Sequence, residues 1–226
     1  MIISHDGQTL FIGVTKNGSQ TARSVLRQIG VDLVGEMGRH PTVPEAIGLA
    51  EERFSGETIA PTCIYAFWRD PVERFCSAVE FHKRCLPNSF IQLFPERFVG
   101  IEPHPQWFEA NPGAVAPDLR ALIEGIPPLD ILSALPPPRV PGASFQPRGG
   151  NLSFYRPQSE WSDHPGVIVL PFSDYGARLR EVIDQFADDS GAVDIPQINA
   201  TAGPLPVLSA EEAGLVQAYY IGDFPL

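Results

Sequence analysis

Leu10-Phe11-Ile12-Gly13-Val14 is an apolar run, and the polar residues Thr15-Lys16-Asn17-Gly18-Ser19-Gln20-Thr21 follow it at once. The run predicts a buried strand, and the polar residues predict a turn. Residues 22–29 have apolar side chains at helical spacing, which predicts a helix that Gly30 ends. A strand that leads through a turn into a helix is typical of a protein whose helices cover a sheet.

The same alternation continues over the first 84 residues. Residues 31–34 and 63–68 predict two further strands, and residues 44–54 and 71–84 predict two further helices that begin with a proline. This order indicates an α/β fold in which a parallel sheet is flanked by helices. Right-handed crossovers would place the carboxyl ends of the first and third strands at one edge of the sheet, where ligands bind.

The middle of the chain has a different composition. Residues 85–165 carry many of the 24 prolines and leave room for one helix, over residues 118–124. We expect a long proline-rich insertion that covers the carboxyl edge of the sheet and serves as a substrate lid. A flexible linker between two domains is the alternative, but the aromatic residues of this segment favour an ordered loop.

Regular structure is predicted again nearer the carboxyl terminus. Residues 167–171 predict a strand, and residues 173–186 predict a helix with one apolar stripe. Ser209 and Glu212 have the spacing of a capping box, which predicts a last helix that ends at about residue 220. We expect residues 1–226 to form a single domain that contains the insertion.

The charge balance argues against some classes of partner. The chain of 226 residues has 16 Lys and Arg against 27 Asp and Glu, a formal net charge of −11 at pH 7. Because no basic stripe is present, a nucleic-acid partner is not expected. Cys63, Cys76 and Cys85 include no CxxC pair, which argues against a disulfide framework or a zinc site and suits a reducing compartment.

The sequence shows no sign of export or of membrane insertion. Its first residues lack the basic and apolar regions of a signal peptide. No run approaches the roughly 18 apolar residues of a membrane-spanning helix. We therefore expect a cytoplasmic protein with no membrane partner.

The turn after the first strand has the residues of an anion-binding loop. It leads into a helix N-terminus, where backbone N–H groups and the helix dipole favour an anion. Gly18 lets the backbone approach an oxyanion, and Lys16 adds a cation. The hydroxyls of Ser19 and Thr21 add donors. The nucleoside triphosphate loop GxxxxGK[ST] differs, since Ser19 stands where its Lys would be. An ordinary turn with a surface lysine is the alternative.

A second polar segment follows the third predicted strand. Arg69 ends this strand, and its guanidinium can grip a second phosphate through two parallel hydrogen bonds. Ser77 lies inside the following helix and can donate to the same group. Asp70 precedes Pro71 at the start of that helix, which favours a helix cap over a magnesium ligand.

Together the two segments resemble the nucleotide-binding motifs of sulfotransferases that use 3′-phosphoadenosine 5′-phosphosulfate. Residues 15–21 are similar to a loop of the type Pro-Lys-Thr-Gly-Gly-Thr-Ser, and residues 69–78 match the motif Arg-Asp/Asn-Pro-x-x-Arg-x-x-Ser-Ala in full. The carbohydrate-type branch, often grouped as sulfotransferase family 2, fits best. Four further segments are similar to its His-Ala-Thr, Pro-Gln, Leu-Pro-x-x-Asn-x-Ser and Tyr-x-x-Asp-Phe motifs: residues 38–42, 156–158, 195–201 and 219–224.

The resemblance implies a P-loop-like fold and a sulfuryl transfer to a hydroxyl of a glycan or of a small molecule. Lys16 would neutralise the charge that builds on the bridging oxygen of the leaving phosphate. The residues that would hold the 5′-phosphate are Asn17, Gly18, Ser19, Gln20 and Thr21. Arg69 and Ser77 would hold the 3′-phosphate. No metal is expected, because a transferred sulfuryl group carries less charge than a phosphoryl group.

In the resembled family a His or Glu between the two donor motifs is the catalytic base. His40 is the first candidate, because an imidazole titrates near neutral pH. Glu36, at the end of the second predicted strand, is the second, and Glu80 and His82 are the third. A surface histidine beside Pro41 is the alternative for His40.

Two residue roles and two rival functions stay open. Arg74 is either a nucleotide ligand or part of an ion pair on the helix surface, and Gln158 either contacts the substrate or braces the lid. A nucleotide phosphotransferase with a degenerate P-loop is one rival, which the lack of a Lys after Gly18 disfavours. A non-catalytic nucleotide-binding module of the same fold is the other. Neither the acceptor nor the oligomeric state follows from the sequence.

Overall fold

A computed structural model of the chain describes residues 2–4, 6–29, 40–54, 56, 59–85, 90–91, 93–101, 117–135, 152–162, 164–186, 193–195 and 205–223. The chain divides into two compact units. The first unit comprises Met1–Asp70 and Pro157–Ala200, and the second comprises Pro71–Arg156 and Thr201–Leu226. Each unit is therefore built from two separate stretches of sequence.

The first unit is built on a sheet whose described strands lie in the order β1–β2–β3–β4. The strands are β1 (Ile2–Ile3), β2 (Thr9–Ile12), β3 (Cys63–Trp68) and β4 (Val167–Pro171). β1 is antiparallel to β2, whereas β2, β3 and β4 are parallel. The carboxyl ends of β2 and β3 therefore lie at one edge of the sheet, which confirms the sequence prediction.

Eight helices of the described residues are numbered here in chain order. They are α1 (Ser19–Gln28), α2 (Val43–Arg53), α3 (Pro71–Cys85), α4 (Pro117–Glu124), α5 (Pro128–Ala134), α6 (Ser159–Ser162), α7 (Tyr175–Phe186) and α8 (Ala210–Tyr219). The helices α1, α2, α6 and α7 belong to the first unit, and the others belong to the second.

Helices cover both faces of the sheet. On one face Leu10 and Ile12 of β2 pack with α2 and with Trp161 of α6. On the other face Phe11 and Phe67 pack with α1 and α7. Neighbouring residues of a strand point to opposite faces, so a continuous apolar run such as β2 is what a sheet buried on both faces requires. The predicted α/β class, a mostly parallel sheet flanked by helices, is confirmed.

Local signals set most helix boundaries. In α8 the Ser209 hydroxyl accepts from the Glu212 N–H at 3.3 Å, and the Glu212 carboxylate accepts from the Ser209 N–H at 2.8 Å, which completes the predicted capping box. α7 begins at Tyr175, because a short 3₁₀ turn occupies Phe172–Asp174. The prediction that α1 begins at residue 22 is wrong by one turn: Gly18 is its N-cap, and Ser19 is its first residue.

The second unit has a core of its own. Phe75 and Val79 of α3 pack with Ile131 of α5 and with Tyr220, which follows α8. For residues 85–165 the sequence predicts one helix, over residues 118–124, whereas the structure adds α5, which begins at Pro128, and the short α6. Proline is favoured in the first turn of a helix, because the N–H that it lacks would have no partner inside the helix.

Several predicted features lie outside the described residues. They are the strand over residues 31–34, the candidate base Glu36, and the prolines of residues 102–116 and 136–151. The substrate lid therefore stays a prediction. The antiparallel strand β1, at one end of the sheet that the described residues form, was not predicted, because two residues are too short a run to signal a strand.

The part of the chain that the structure describes contains no helix that is long and apolar enough to span a bilayer.

Candidate active site

The loop between β2 and α1 has an unusual backbone. Lys16 and Gly18 have φ angles of 63° and 74°, both in the left-handed region. A side chain at such a φ angle costs about 1 kcal/mol, which glycine avoids and lysine does not. Burial alternates along the loop: Thr15 and Asn17 are fully buried, whereas Lys16 and Gly18 are partly exposed. The alternation directs the lysine toward the surface of the first unit.

The first turn of α1 lies directly after this loop. Its N-cap is Gly18, which offers no side-chain hydrogen bond to the first N–H groups of the helix. Ser19 and Thr21 are buried in this turn, and Gln20 is exposed. A helix N-terminus without a capping side chain is suited to an anionic ligand. The five residues predicted to hold a 5′-phosphate thus lie in one loop and one helical turn.

Two side-chain amides tie the loop to the end of β3. The Asn17 Nδ2 group donates to the Phe67 carbonyl oxygen at 2.6 Å and to Oε1 of Gln158 at 2.6 Å. Gln158 also pairs with the backbone of Arg69: its Oε1 accepts from the Arg69 N–H at 3.0 Å, and its Nε2 donates to the Arg69 carbonyl oxygen at 2.7 Å. Gln158 therefore joins the loop to the strand.

Arg69 lies against this loop through its side chain as well. Its Nη1 donates to the carbonyl oxygen of Lys16 at 3.3 Å. Its guanidinium is stacked over the ring of Phe172, with Cζ 4.9 Å from the ring centroid. The structure thus brings together the two cationic residues that the sequence analysis selected from segments 53 residues apart.

Ser77, the other predicted ligand of the 3′-phosphate, lies in α3 of the second unit, where it is buried. Arg74 of the same helix is 1% exposed. It donates to the Phe154 carbonyl oxygen at 3.3 Å and to that of Arg156 at 2.5 Å, and its guanidinium stacks on Tyr220. Arg74 is therefore buried in the second unit, which contradicts the alternative that placed it on the helix surface.

The candidate bases have different surroundings. His82 is 1% exposed in the second unit, where its ring stacks on Tyr155 at 4.8 Å and Nδ1 lies 3.0 Å from the Ala78 carbonyl oxygen. It is a core residue and is poorly placed to meet a substrate. Glu80 is only partly buried on the same helix. Glu36 lies outside the described residues.

His40 lies in the first unit, beside the loop. Its Nδ1 forms a short hydrogen bond with the Gly13 carbonyl oxygen, at the carboxyl end of β2. A carbonyl only accepts, so Nδ1 must donate and Nε2 must carry the lone pair. Burial lowers the pKa of His40 to about 4; the bond to Gly13 opposes this shift, and the charge of Arg23 adds to it. His40 is therefore neutral at pH 7, and its lowered pKa makes it a weaker base than the ordinary imidazole that the sequence analysis assumed.

Three further residues support the site and were missed by sequence reasoning. The Trp161 indole is fully buried and donates to the His40 carbonyl oxygen at 2.9 Å. The Tyr175 hydroxyl donates to the Gly18 carbonyl oxygen at 2.6 Å. The guanidinium of Arg23 lies over Gly13, where an added Cβ would be 3.3 Å from Nη2. Of these three residues, only Arg23 had a signal in the sequence, because it lies about one helical turn after the loop.

Within the described residues, no group of three or more His, Cys, Asp and Glu side chains is arranged to hold a metal ion. Comparison with models of protein families, with curated proteins and with solved structures finds no match to this chain.

Proposed function

We propose that this protein is a sulfotransferase that moves the sulfuryl group of 3′-phosphoadenosine 5′-phosphosulfate to a hydroxyl of a glycan or of a small molecule. The observation that carries the proposal is the hydrogen bond from Arg69 to the Lys16 carbonyl oxygen at 3.3 Å. It joins the side chain of one predicted phosphate ligand to the backbone of the other. A donor with two phosphate groups needs two such cationic positions in one site.

The chemistry of the loop fits the 5′ end of this donor. The order β2, loop and α1 supports a P-loop-like architecture, in which an anion meets backbone N–H groups at the start of a helix. Gly18 gives α1 no capping side chain, and Lys16 is partly exposed, so the start of this helix is compatible with an anionic ligand. The guanidinium of Arg69 has five N–H donors, so its bond to Lys16 is compatible with a phosphate partner.

His40 is the base in this proposal, although its pKa of about 4 makes it a weaker base than an ordinary imidazole. Its burial keeps the imidazole neutral at pH 7, and the bond from Nδ1 to Gly13 directs the basic lone pair to Nε2. In the proposed step His40 Nε2 takes the proton of the acceptor hydroxyl while the acceptor oxygen bonds to the sulfur of the donor. The bond from sulfur to the bridging oxygen breaks, and Lys16 stabilises the charge left on the phosphate.

Calorimetry with adenosine 3′,5′-bisphosphate, the desulfated product of the donor, tests the proposal. We expect the wild-type chain to bind it more tightly than ATP. Lys16→Ala and Arg69→Ala should each weaken binding about tenfold or more, as expected for the loss of a charged hydrogen-bond partner. Arg178→Ala is the matched control, because the side chain of this arginine of the same unit is 40% exposed and pairs with Glu181 at 2.8 Å.

Three possible results would distinguish the proposed function from its two alternatives. Tighter binding of ATP than of the bisphosphate would support a phosphotransferase with a degenerate P-loop. Binding of the bisphosphate without sulfuryl transfer to any hydroxyl acceptor in a broad panel would support a non-catalytic module. No heat with either nucleotide would remove the proposal. The acceptor class, the lid over residues 85–165, the lack of a metal requirement and the cytoplasmic location all stay predictions.

A further inference from the structure

The side chain of Gln158 makes three hydrogen bonds within the first unit. Its Oε1 accepts two hydrogen bonds, from the Arg69 N–H at 3.0 Å and from Asn17 Nδ2 at 2.6 Å. Its Nε2 donates to the Arg69 carbonyl oxygen at 2.7 Å. The carboxamide thus extends the hydrogen bonding of β3 past its last residue and reaches the loop after β2. Gln158 is 1% exposed, so these bonds are shielded from water.

Asn17, the partner of Gln158 in the loop, has one buried polar atom without a hydrogen bond among the described residues. Asn17 is fully buried, and its Nδ2 faces two acceptors, the Phe67 carbonyl oxygen and Gln158 Oε1. Turning the amide over would place oxygen against both acceptors, so the observed orientation is the required one. Its Oδ1 then has no hydrogen-bond partner among the described residues. A buried acceptor without a partner destabilises a fold, which is acceptable where a site needs one fixed loop conformation.

We propose that Gln158 is a positioning residue that fixes the loop of Lys16 relative to the backbone of Arg69, from which the guanidinium extends. This inference rests on the proposed function, because it assigns a ligand with two phosphate groups to these two positions. Such a ligand gains affinity only if both positions are held at the correct separation before it binds. A ligand with one phosphate group does not depend on that separation.

Only glutamine meets the requirements of this position. The groups around it are one acceptor and two donors, so its side chain must both donate and accept. Glutamate cannot donate to the Arg69 carbonyl oxygen, and it adds a negative charge beside an anion site. Methionine has a similar volume but makes none of the three hydrogen bonds. Gln158→Met therefore removes the connection between loop and strand while it keeps the packing.

The test compares the affinities for adenosine 3′,5′-bisphosphate and adenosine 5′-monophosphate by calorimetry. We expect Gln158→Met to reduce the preference for the bisphosphate about tenfold, which is the effect of one lost buried hydrogen-bond partner. The affinity for the monophosphate should change by less than about threefold. Ser162→Ala is the control: it removes a hydrogen bond of 3.2 Å to the Gln158 carbonyl oxygen and leaves the carboxamide intact.

A purely structural role would lower both affinities alike, and this result would overturn the inference. If Gln158→Met fails to fold, Asn17→Ala breaks the same connection from the loop side. Asn17→Ala should reduce the preference for the bisphosphate over the monophosphate equally, and an unchanged preference in this variant would also overturn the inference. If the wild-type chain does not bind the bisphosphate, the proposed function has failed. If it binds but its preference survives in the variants, only the role of Gln158 has failed.

Discussion

The hydroxyl of Tyr175 donates to the carbonyl oxygen of Gly18 at 2.6 Å, and the tyrosine ring fills the space in which a side chain of Gly18 would lie. The ring is itself held from two sides, by Phe67 at 4.6 Å and Phe172 at 5.0 Å between centroids. The N-cap of α1 is therefore fixed by a residue of α7. This contact holds the loop between β2 and α1 in one conformation.

We predict that Gly18→Ala destabilises the protein by about 2–4 kcal/mol, since it adds a Cβ at a left-handed φ angle and overpacks the site. The new Cβ would lie 2.6 Å from Cζ of Tyr175, and the packed ring has little room to withdraw. Urea unfolding measures the loss. Gly48→Ala in α2 is the control, because no described residue beyond its own helix backbone lies within 4 Å of its added Cβ; it should be neutral or slightly stabilising. Equal effects of the two variants would contradict the Tyr175 contact.

A second prediction separates the effect of the Lys16 backbone conformation on stability from the effect of the Lys16 charge on binding. Lys16 has a φ angle of 63°, so Lys16→Gly should be more stable than Lys16→Ala by about 1 kcal/mol. Both variants lose the ammonium group and should lose affinity for the bisphosphate to the same extent. Thermal unfolding and calorimetry on the same samples give the two quantities. If Lys16→Ala is as stable as Lys16→Gly, residue 16 does not have a left-handed φ angle, and the prediction is contradicted.

A third prediction follows from the burial of His40, which lowers its pKa to about 4. The unfolded chain binds a proton on this histidine below about pH 6.5, whereas the folded chain does so only near pH 4. The contribution of His40 to stability is thus complete above pH 6.5, falls as the pH drops through this window, and levels off below pH 4.

Relative to His40→Gln, the wild-type protein should lose about 2 kcal/mol of stability between pH 7 and pH 5. Unfolding of both proteins at a series of pH values gives this difference and removes the contribution of the carboxyl groups that they share. An NMR titration of the imidazole should give a midpoint near 4. A midpoint near the ordinary value of about 6.5 would show that the ring is solvated and not bound to Gly13.

A fourth prediction concerns Arg69→Lys. A lysine keeps the charge but cannot bond to the Lys16 carbonyl oxygen and grip a phosphate with a planar fork at the same time. We expect about tenfold weaker binding of the bisphosphate and little change in stability, because the pairing with Gln158 uses only the backbone of Arg69. Calorimetry and thermal unfolding check the two parts. Unchanged affinity would show that Arg69 does not contact the ligand.

Much of the fold followed from local sequence patterns. The strand predicted over residues 63–68 is β3, and that over residues 167–171 is β4, because an apolar run between polar residues has few alternatives. The approach of Lys16 and Arg69 was predictable as well, since the carboxyl ends of parallel strands share one edge of a sheet. The residue at which α1 begins was not predictable, because it depends on the φ angle of Gly18.

The sequence by itself determined the α/β class and the residue types of the candidate site, because both depend on spacings of a few residues along the chain. Only the tertiary structure decided that Gln158 holds Asn17, 141 positions away, that Tyr175 packs on Gly18, 157 positions away, and that Gly13 and burial keep His40 neutral. These contacts join residues distant in sequence, and their strength comes from the exclusion of water in the folded unit, which no local pattern records.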